Sequence, residues 1–400
     1  MTDSPSLSAE TSSDSPLATT LKILPAVSFS FVCYLTIGIP LAVLPTYAHL
    51  QLGYGTVLAG LVISTQYVAT VLSRPRTGRL IDHLGPKPVV IYGLFACAAS
   101  GLCNFLASFF TPSPAIALSL ILLGRLFLGI GESMVGTGAS IWGIGRTGSQ
   151  HIAKVISWNG VATFGALSIG APFGVFLLQS WGLASVGLLT IFLAVASVTL
   201  ALRVPRIPAT APRHLPFAHV FWRVAPHGTA LAFGGMGFGV LATFITLYFA
   251  QLHWTGAAFT LSLYGAAFIC TRLLFVGLIP RLGGFPVAIV SLFIEIFGLL
   301  LLGFARVPSA AFAAAALIGF GFSLVFPALG VEAVRLLPVE NRGTALGTYN
   351  LFIDLSLFLA GPIAGAIITR AGYPAAFFSC AGGVFFAFCL TVFLHSRKPA

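Results

Sequence analysis

Charged residues are scarce in this 400-residue sequence, in which Asp, Glu, Lys and Arg together occupy only 7% of positions. Hydrophobic residues occupy 58%, whereas soluble domains carry about 25% charged residues. The shortage of charge excludes a soluble globular protein and predicts an integral membrane protein. The six cysteines lie in apolar stretches without metal-ligand spacing, so no disulfide framework is expected.

Several features that would indicate other functions are absent from the sequence. No Gly-rich loop ends in Gly-Lys-Ser or Gly-Lys-Thr, which excludes an ATP-driven pump on this chain. The eight His are scattered without paired spacing, which argues against a membrane enzyme or a metal site. Basic residues do not cluster with aromatic platforms, so no nucleic-acid partner is predicted. Short alternating strands typical of an outer-membrane barrel are also missing. No cofactor is expected.

Long apolar runs are what the sequence contains instead. A helix needs about 20 residues to cross roughly 30 Å of hydrocarbon, and the backbone of such runs must be helical because lipid offers no hydrogen-bond partners. The fold class predicted is therefore all-α integral membrane. Twelve spans are predicted, at 22–47, 55–74, 88–110, 113–138, 157–179, 184–202, 226–250, 256–278, 286–304, 309–333, 343–368 and 374–394.

Basic residues are distributed asymmetrically between the predicted loops. Of the 20 Lys and Arg residues, seventeen lie at the termini or in loops after even-numbered spans, Arg74 and Arg272 among them. Only Arg306 and Arg370 lie in the opposite loops, and Arg125 falls inside a span. By the positive-inside rule, both termini are predicted to be cytoplasmic.

The sequence also contains an internal repeat. At an offset of 198, Arg74 matches Arg272, and at an offset of 190, Gly129 matches Gly319. A duplicated six-span unit is typical of transporters whose two halves rock around a shared site. The predicted divisions are a disordered cytoplasmic tail at 1–21, a six-helix bundle at 22–202, a cytoplasmic linker at 203–225, a second bundle at 226–394 and a tail at 395–400.

One motif carries a resemblance to a known family. The stretch from Gly78 to Lys87, GRLIDHLGPK, lies between spans two and three and resembles the signature of the major facilitator superfamily, although His83 stands where that family has Arg or Lys. The stretch from Ser323 to Gly330, SLVFPALG, looks like the uncharacterised bacterial YhhS-like transporters. This resemblance implies twelve transmembrane helices in two pseudo-symmetric six-helix bundles, located in the bacterial inner membrane.

The same motif predicts a cytoplasmic gate. Gly78 and Gly85 permit a tight turn, and Asp82 is placed to cap the positive end of span eleven near Gly343. With Arg74, these residues form the predicted gate: Arg74, Gly78, Asp82 and Gly85. The alternative is that Asp82 only neutralises neighbouring arginines at the surface.

Three charged residues inside spans are predicted to couple transport to protons. Such charges are expensive in a membrane and must face a partner or a wet cavity. The resemblance links Arg125 to proton handling, and Glu132 follows seven residues later on about the same helix face. Asp354 lies near the middle of span eleven, where burial favours the neutral form of a carboxyl group. The alternative is a structural role for each, and Glu295 in span nine is expected to have a structural partner such as a Ser or a backbone group.

Polar and aromatic residues at depth are candidates for contacting the substrate in the central cavity. They are Tyr34, Gln66, Tyr67, Asn159, Tyr264, Tyr349 and Asn350. The alternative for single aromatics is packing or anchoring at the membrane interface.

The function predicted is secondary active transport of a small solute by alternating access, coupled to protons, with export favoured. The partners expected are the solute, protons and the lipid bilayer, with the protein as a monomer. One alternative is proton-coupled uptake of a sugar or an organic acid, and a membrane enzyme is an alternative of a different class. Span one contains no Asp or Glu, which weakens a multidrug interpretation.

Overall fold

The computed structural model describes residues 16–148, 152–208, 217–275, 277–337 and 342–397, and every element in these ranges is helical. The α-helices are α1 (Pro16–Leu41), α2 (Leu44–Thr46), α3 (Thr56–Leu84), α4 (Pro86–Ala107), α5 (Pro114–Thr147), α6 (Ile152–Arg203), α7 (Phe217–Gln251), α8 (Ala257–Phe275), α9 (Leu278–Leu282), α10 (Gly284–Gly303), α11 (Pro308–Arg335) and α12 (Arg342–Ser396). A π-helix covers Tyr47–Gln51, and a short 3₁₀ turn covers Ser108–Phe110. The predicted all-α class is confirmed.

Ten helical segments of the described residues are long and apolar enough to cross a membrane. Two of these helices, α6 and α12, have 52 and 55 residues and are broken at Gly182 (φ 73°) and Gly372 (φ 81°). Glycine adopts positive φ without the steric cost that other residues meet. The breaks fall between predicted spans five and six and between spans eleven and twelve. Each long helix therefore contains two segments of span length, while the count of twelve remains a prediction.

Helix ends differ from the predicted divisions in three places. Helix α1 begins at Pro16, inside the predicted tail 1–21, of which residues 1–15 lie outside the described ranges. Helix α7 begins at Phe217, so part of the predicted linker is helical, while residues 209–216 are not described. Helix α12 continues to Ser396, within the predicted tail at 395–400. Apolar pattern alone does not mark these ends because the helices extend beyond the apolar stretch.

The helices pack in two bundles. Helices α1, α4, α5 and α6 pack on one another in the N-terminal bundle, in which α3 packs on α5. Helices α7, α10, α11 and α12 do so in the C-terminal bundle, in which α8 packs on α11. Between the bundles, α3 packs on α12 and α6 packs on α8. Large apolar side chains such as those of Trp222 and Leu274 are exposed on the outside, as expected for a surface that faces lipid.

The internal repeat is visible in the packing of each bundle. A methyl group added to Gly129 of α5 would overlap the carbonyl oxygen of Gln66 in α3. A methyl group added to Gly319 of α11 would overlap the carbonyl oxygen of Tyr264 in α8 in the same way. Gly129 and Gly319 are related by the offset of 190, and Gln66 and Tyr264 by the offset of 198. Each half therefore uses the same close helix crossing.

The two bundles touch tightly at one end. We call the end with the Gly85 and Gly283 turns the inner end, because the charge distribution predicts that it is cytoplasmic, and the opposite end the outer end. Near the outer end, a Cβ added to Gly60 of α3 would lie 2.6 Å from the carbonyl oxygen of Gly361 in α12. In the second interface, Ser262 of α8 donates a hydrogen bond to the Ser168 carbonyl oxygen at 2.9 Å. The interface is closed at the outer end.

Candidate functional site

A polar cluster lies inside the N-terminal bundle, between α3 and α5. Arg125 donates a hydrogen bond from Nη1 to the side-chain oxygen of Gln66 at 2.8 Å. The Gln66 amide nitrogen donates in turn to Oε2 of Glu132 at 2.8 Å, and the Thr70 hydroxyl donates to the same oxygen at 3.1 Å. Arg125 and Glu132, which were predicted to share a helix face, are thus joined through Gln66, which was predicted only as a substrate contact.

Local backbone structure explains why these side chains meet. Gly129 lies between Arg125 and Glu132 in α5, and its missing side chain lets α3 approach so closely that Gln66 reaches both. The Arg125 Nη2 group donates to the Pro40 carbonyl oxygen at 3.3 Å. Pro40 lies in the last turn of α1, where carbonyl groups lack partners within the helix. The guanidinium group therefore joins three helices.

A second ion pair connects the two bundles. Arg74 of α3 donates from Nε to Oδ2 of Asp354 in α12 and from Nη2 to Oδ1 at 3.0 Å. The Asp354 side chain is 4% exposed and that of Arg74 is 17% exposed. This two-point contact has the geometry in which guanidinium and carboxylate groups pair most strongly. Asp354 therefore holds α12 against α3 in this conformation.

The charge distribution places Arg74 and Arg272 with the loops, although the predicted spans 55–74 and 256–278 include them, and the structure shows that the loop location is wrong. Arg74 lies within α3, and Arg272 lies within α8, where it is 3% exposed. Helix α3 has 29 residues, which corresponds to about 44 Å at 1.5 Å per residue, more than the hydrocarbon thickness. Helix α3 therefore continues past the predicted span that ends at Arg74, while Arg272 lies in the last turn of α8.

The other predicted gate residues lie at the inner end. Gly85 ends α3 with φ 81°, the conformation that glycine allows. A Cβ on Gly78 would meet nothing within 4 Å, so this glycine is not required for close packing here. Asp82 is partly buried, while the side chain at Thr344, beside its predicted partner Gly343, lies outside the described set. The contact between Asp82 and span eleven stays a prediction.

The predicted cavity residues fall into two groups. Tyr67, Tyr264 and Tyr349 are buried, and the Tyr349 hydroxyl donates to the Phe326 carbonyl oxygen at 3.1 Å. The partly buried group comprises Tyr34, Asn159 and Asn350, of which Asn159 donates from Nδ2 to the Ser140 hydroxyl at 3.0 Å. Hydrogen bonds within one bundle thus occupy Tyr349 and Asn159 in this conformation.

Tyr264 belongs to an aromatic cluster at the second interface between the bundles. The aromatic cluster consists of Phe164, Phe238, Tyr264 and Phe268. Phe164 of α6 stacks on Phe268 of α8 with ring centroids 3.7 Å apart. A cavity beside it has a volume of only about 10 Å³, which is room for about one water molecule. The aromatic cluster therefore fills the interface.

The two halves differ in chemistry at equivalent positions. The counterparts of Gln66, Thr70, Arg125 and Glu132 are Tyr264, Phe268, Ala315 and Phe322. Phe268 lies in ring contact with both Tyr264 and Phe322. The polar cluster is therefore a property of the N-terminal bundle, while the C-terminal bundle carries aromatic rings in its place.

Glu295 has no partner of the kind that was expected. It is fully buried in α10, and neither carboxyl oxygen has a hydrogen-bond partner among the described residues. It packs against Gly237 of α7 and Gly321 of α11. Its equivalent in the first half is Cys97, which is also in contact with a glycine of the next span. Glu295 thus occupies a packing position that an apolar residue would fill.

Replacing Glu295 with methionine should raise stability. A buried polar group without a partner costs about 1–3 kcal/mol, and methionine fills a similar volume without that cost. We expect the midpoint of thermal unfolding of the purified protein to rise. Glu332 is the matched control, because it is as deeply buried but accepts hydrogen bonds from the Gly284 amide and Arg335. Glu332→Met should lower the midpoint, and a lowered midpoint for Glu295→Met would contradict the prediction.

Comparison with known proteins identifies relatives over nearly the whole chain. The family model described as Major Facilitator Superfamily matches residues 26–286 and 229–400. An uncharacterised MFS-type transporter of Burkholderia mallei (strain SAVP1) is 51% identical over 96% of this chain and 94% of its own length. The uncharacterised MFS-type transporter YhhS of Escherichia coli (strain K12) is 49% identical over 95% of this chain and 94% of its own length. Among solved structures, a variant of nucleoside transporter NupG aligns with a TM-score of 0.73 at 17% identity, covering 94% of this chain and 100% of that one.

Proposed function

The chain belongs to the major facilitator superfamily, and on that premise we propose that it moves a small solute across the bacterial inner membrane by alternating access coupled to protons, with export as the direction. The family makes it a secondary transporter and not an enzyme. The alternative is proton-coupled uptake of a sugar or an organic acid.

The observation that carries the proposal is the ion pair between Arg74 and Asp354. It joins the two bundles that must move relative to each other in alternating access. A proton added to Asp354 removes the negative charge that holds Arg74, and so favours a conformation in which α3 and α12 are separated. The proton then acts as a ligand that binds the two conformations with different affinity. Such a difference is what coupling between proton binding and the conformational change requires.

The polar cluster supports proton handling beside this pair. Glu132 lies in the same bundle as Arg74, is buried, and accepts two hydrogen bonds on one oxygen. Arg125 reaches Glu132 through Gln66, so a change in the charge of Glu132 is transmitted to α1 through the Pro40 carbonyl group. Export is supported by the resemblance of the Arg125 segment to that of exporters in the family.

Reconstitution into liposomes tests this function. The purified protein is given a panel of labelled solutes under an imposed pH gradient of either sign. Export by exchange with protons predicts accumulation in liposomes with an acidic interior, whereas joint uptake with protons predicts accumulation when the interior is alkaline. Asp354→Asn should lower gradient-driven accumulation about 10-fold, since coupling energies of 1–3 kcal/mol correspond to 5–150-fold.

Glu295→Gln is the matched control, because Glu295 is buried but lies within one bundle. It should retain the response to the gradient. Accumulation that ignores the gradient, together with normal transport by Asp354→Asn, would overturn the proposal of proton coupling. Accumulation only with an alkaline interior would replace export by uptake.

A further inference from the structure

Arg272 is a buried cation at the boundary between the bundles. Its Nη2 group donates to the Ser323 carbonyl oxygen at 2.7 Å, while the buried Nε group has no hydrogen-bond partner among the described residues. The guanidinium carbon lies 5.0 Å from the centre of the Phe268 ring. No Asp or Glu of the described part of the chain pairs with it. A guanidinium group stays protonated in proteins, so this charge cannot be removed by loss of a proton.

The repeat shows what Arg272 lacks. Its equivalent at the offset of 198 is Arg74, which is paired with Asp354. At the offset of 190, the counterpart of Asp354 is Phe164 of the aromatic cluster. Both interfaces between the bundles therefore carry an arginine at the same place, and only one of them carries the acid that neutralises it.

The guanidinium group of Arg272 faces the opposite bundle. A Cβ added to Gly160 of α6 would lie 2.9 Å from Nη1 of Arg272, so the guanidinium group reaches across the interface into space that a glycine leaves open. Gly160 is the counterpart of Asn350 at the offset of 190. Phe164 and Phe268 form an apolar wall beside it. The position thus combines a positive charge with a flat aromatic surface.

The other buried charges of the interface are already balanced. Arg74 is paired with Asp354, and Arg125 is joined to Glu132 through Gln66. Arg272 is left as an excess positive charge in a region of low dielectric, where an unpaired ion is unfavourable. An anion that enters between the bundles would remove this cost, and guanidinium groups bind carboxylate and phosphate groups in a two-point geometry.

We propose that the transported solute is a small organic anion and that Arg272 binds its carboxylate, phosphonate or phosphate group, with the aromatic cluster contacting the apolar part. This inference rests on the proposed transport function and names the substrate class for it. It holds for either direction of transport. Arg272→Met should remove the charge while keeping much of the packing volume.

Binding to the full-length protein in lipid nanodiscs tests the proposal without a gradient. The probes are benzoate, phenylphosphonate and inorganic phosphate, with benzamide as the neutral analogue, and the readout is the midpoint of thermal unfolding against probe concentration. At least one anion should stabilise the wild type more than benzamide does. Loss of a two-point charge-assisted contact should weaken that binding roughly tenfold or more in Arg272→Met. Arg335→Met, at an arginine that is 55% exposed, should bind as the wild type does.

A second variant keeps the proposal testable if Arg272→Met does not fold. Phe164→Asp places an acid where the repeat has Asp354, and it should fold, pair with Arg272 and lose anion binding to the same extent. The proposal is overturned if none of the three anions stabilises the wild type, if benzamide binds as well as benzoate, or if Arg272→Met or a folded Phe164→Asp variant binds as the wild type does. Transport that ignores the pH gradient while anion binding persists would contradict proton coupling only.

Discussion

A leucine at Gly361 should hold the outer end of the interface open and stop transport. A Cβ on Gly361 would lie 2.5 Å from the Gly60 carbonyl oxygen and 2.5 Å from the Ser64 hydroxyl oxygen, so a leucine side chain has no room while α3 and α12 are in contact. The two helices belong to different bundles, so separation at this end relieves the overlap without unfolding either bundle. The equilibrium is then biased toward the conformation that is open to the outside.

The effect can be measured without knowing the solute. Ser64 is buried at this contact, and Ser64→Cys in a background without native cysteines provides a site for a membrane-impermeant maleimide added from outside. With Gly361→Leu, the rate of labelling should rise roughly tenfold or more, as a shift of more than 1.4 kcal/mol between the two conformations requires. Gly382→Leu is the control, because a Cβ there meets nothing within 4 Å. Unchanged labelling with continued transport would show that the outer end does not need this contact.

Breaking the ion pair between the bundles should have the largest effect on stability. Arg74→Met leaves Asp354 buried without its partner, and removal of one member of a buried pair costs about 3–5 kcal/mol. Because 17% of the Arg74 side chain is exposed, we expect about 2–3 kcal/mol. Replacing both members, with Arg74→Met and Asp354→Leu, should recover most of the loss, since no charge is then left unpaired.

A double-mutant cycle measures this pair directly. The four proteins are compared by denaturant or thermal unfolding in the same detergent, and the difference between the double variant and the sum of the single variants gives the coupling energy. Arg335 and Glu332 form the control pair, since Arg335 is 55% exposed and solvent screens its charge, so their coupling energy should be the smaller one. Equal coupling energies in the two cycles would mean that Arg74 and Asp354 do not hold the bundles together.

Much of the fold could be predicted from composition and period. Long apolar runs in a membrane must be helical, because their backbone groups find hydrogen-bond partners only within the helix. The offsets of 190 and 198 locate the duplicated halves. The structure repeats these offsets in the contacts of Gly129 with Gln66 and of Gly319 with Tyr264. The family was predicted from one motif and is confirmed by the relatives.

The site could be predicted only in part. Arg125, Glu132 and Asp354 stand out because a charge inside an apolar run is costly. Arg74 and Arg272 were assigned to loops, because Arg74 lies at the end of the predicted span 55–74 and Arg272 lies in the last turn of α8, so hydropathy does not separate them from loop arginines. In the sequence, Arg74 and Arg272 differ from loop arginines because they match each other at the offset of 198. They differ from each other because the counterpart of Asp354 at the offset of 190 is Phe164, so an acidic partner is available to Arg74 only. The role of Gln66 as a link depends on a helix crossing that no single-residue property encodes.

The one-residue turn at Gly182 has a mechanical consequence. The segment before it faces the opposite bundle through Ser168, and the segment after it packs so closely on α4 that a Cβ on Gly187 would lie 2.7 Å from the Gly101 carbonyl oxygen. A connection of one residue between the two segments of α6 is too short to absorb a tilt of the first segment. We therefore expect a tilt of the first segment to carry the second segment and α4 with it, so that the N-terminal bundle moves as one rigid body.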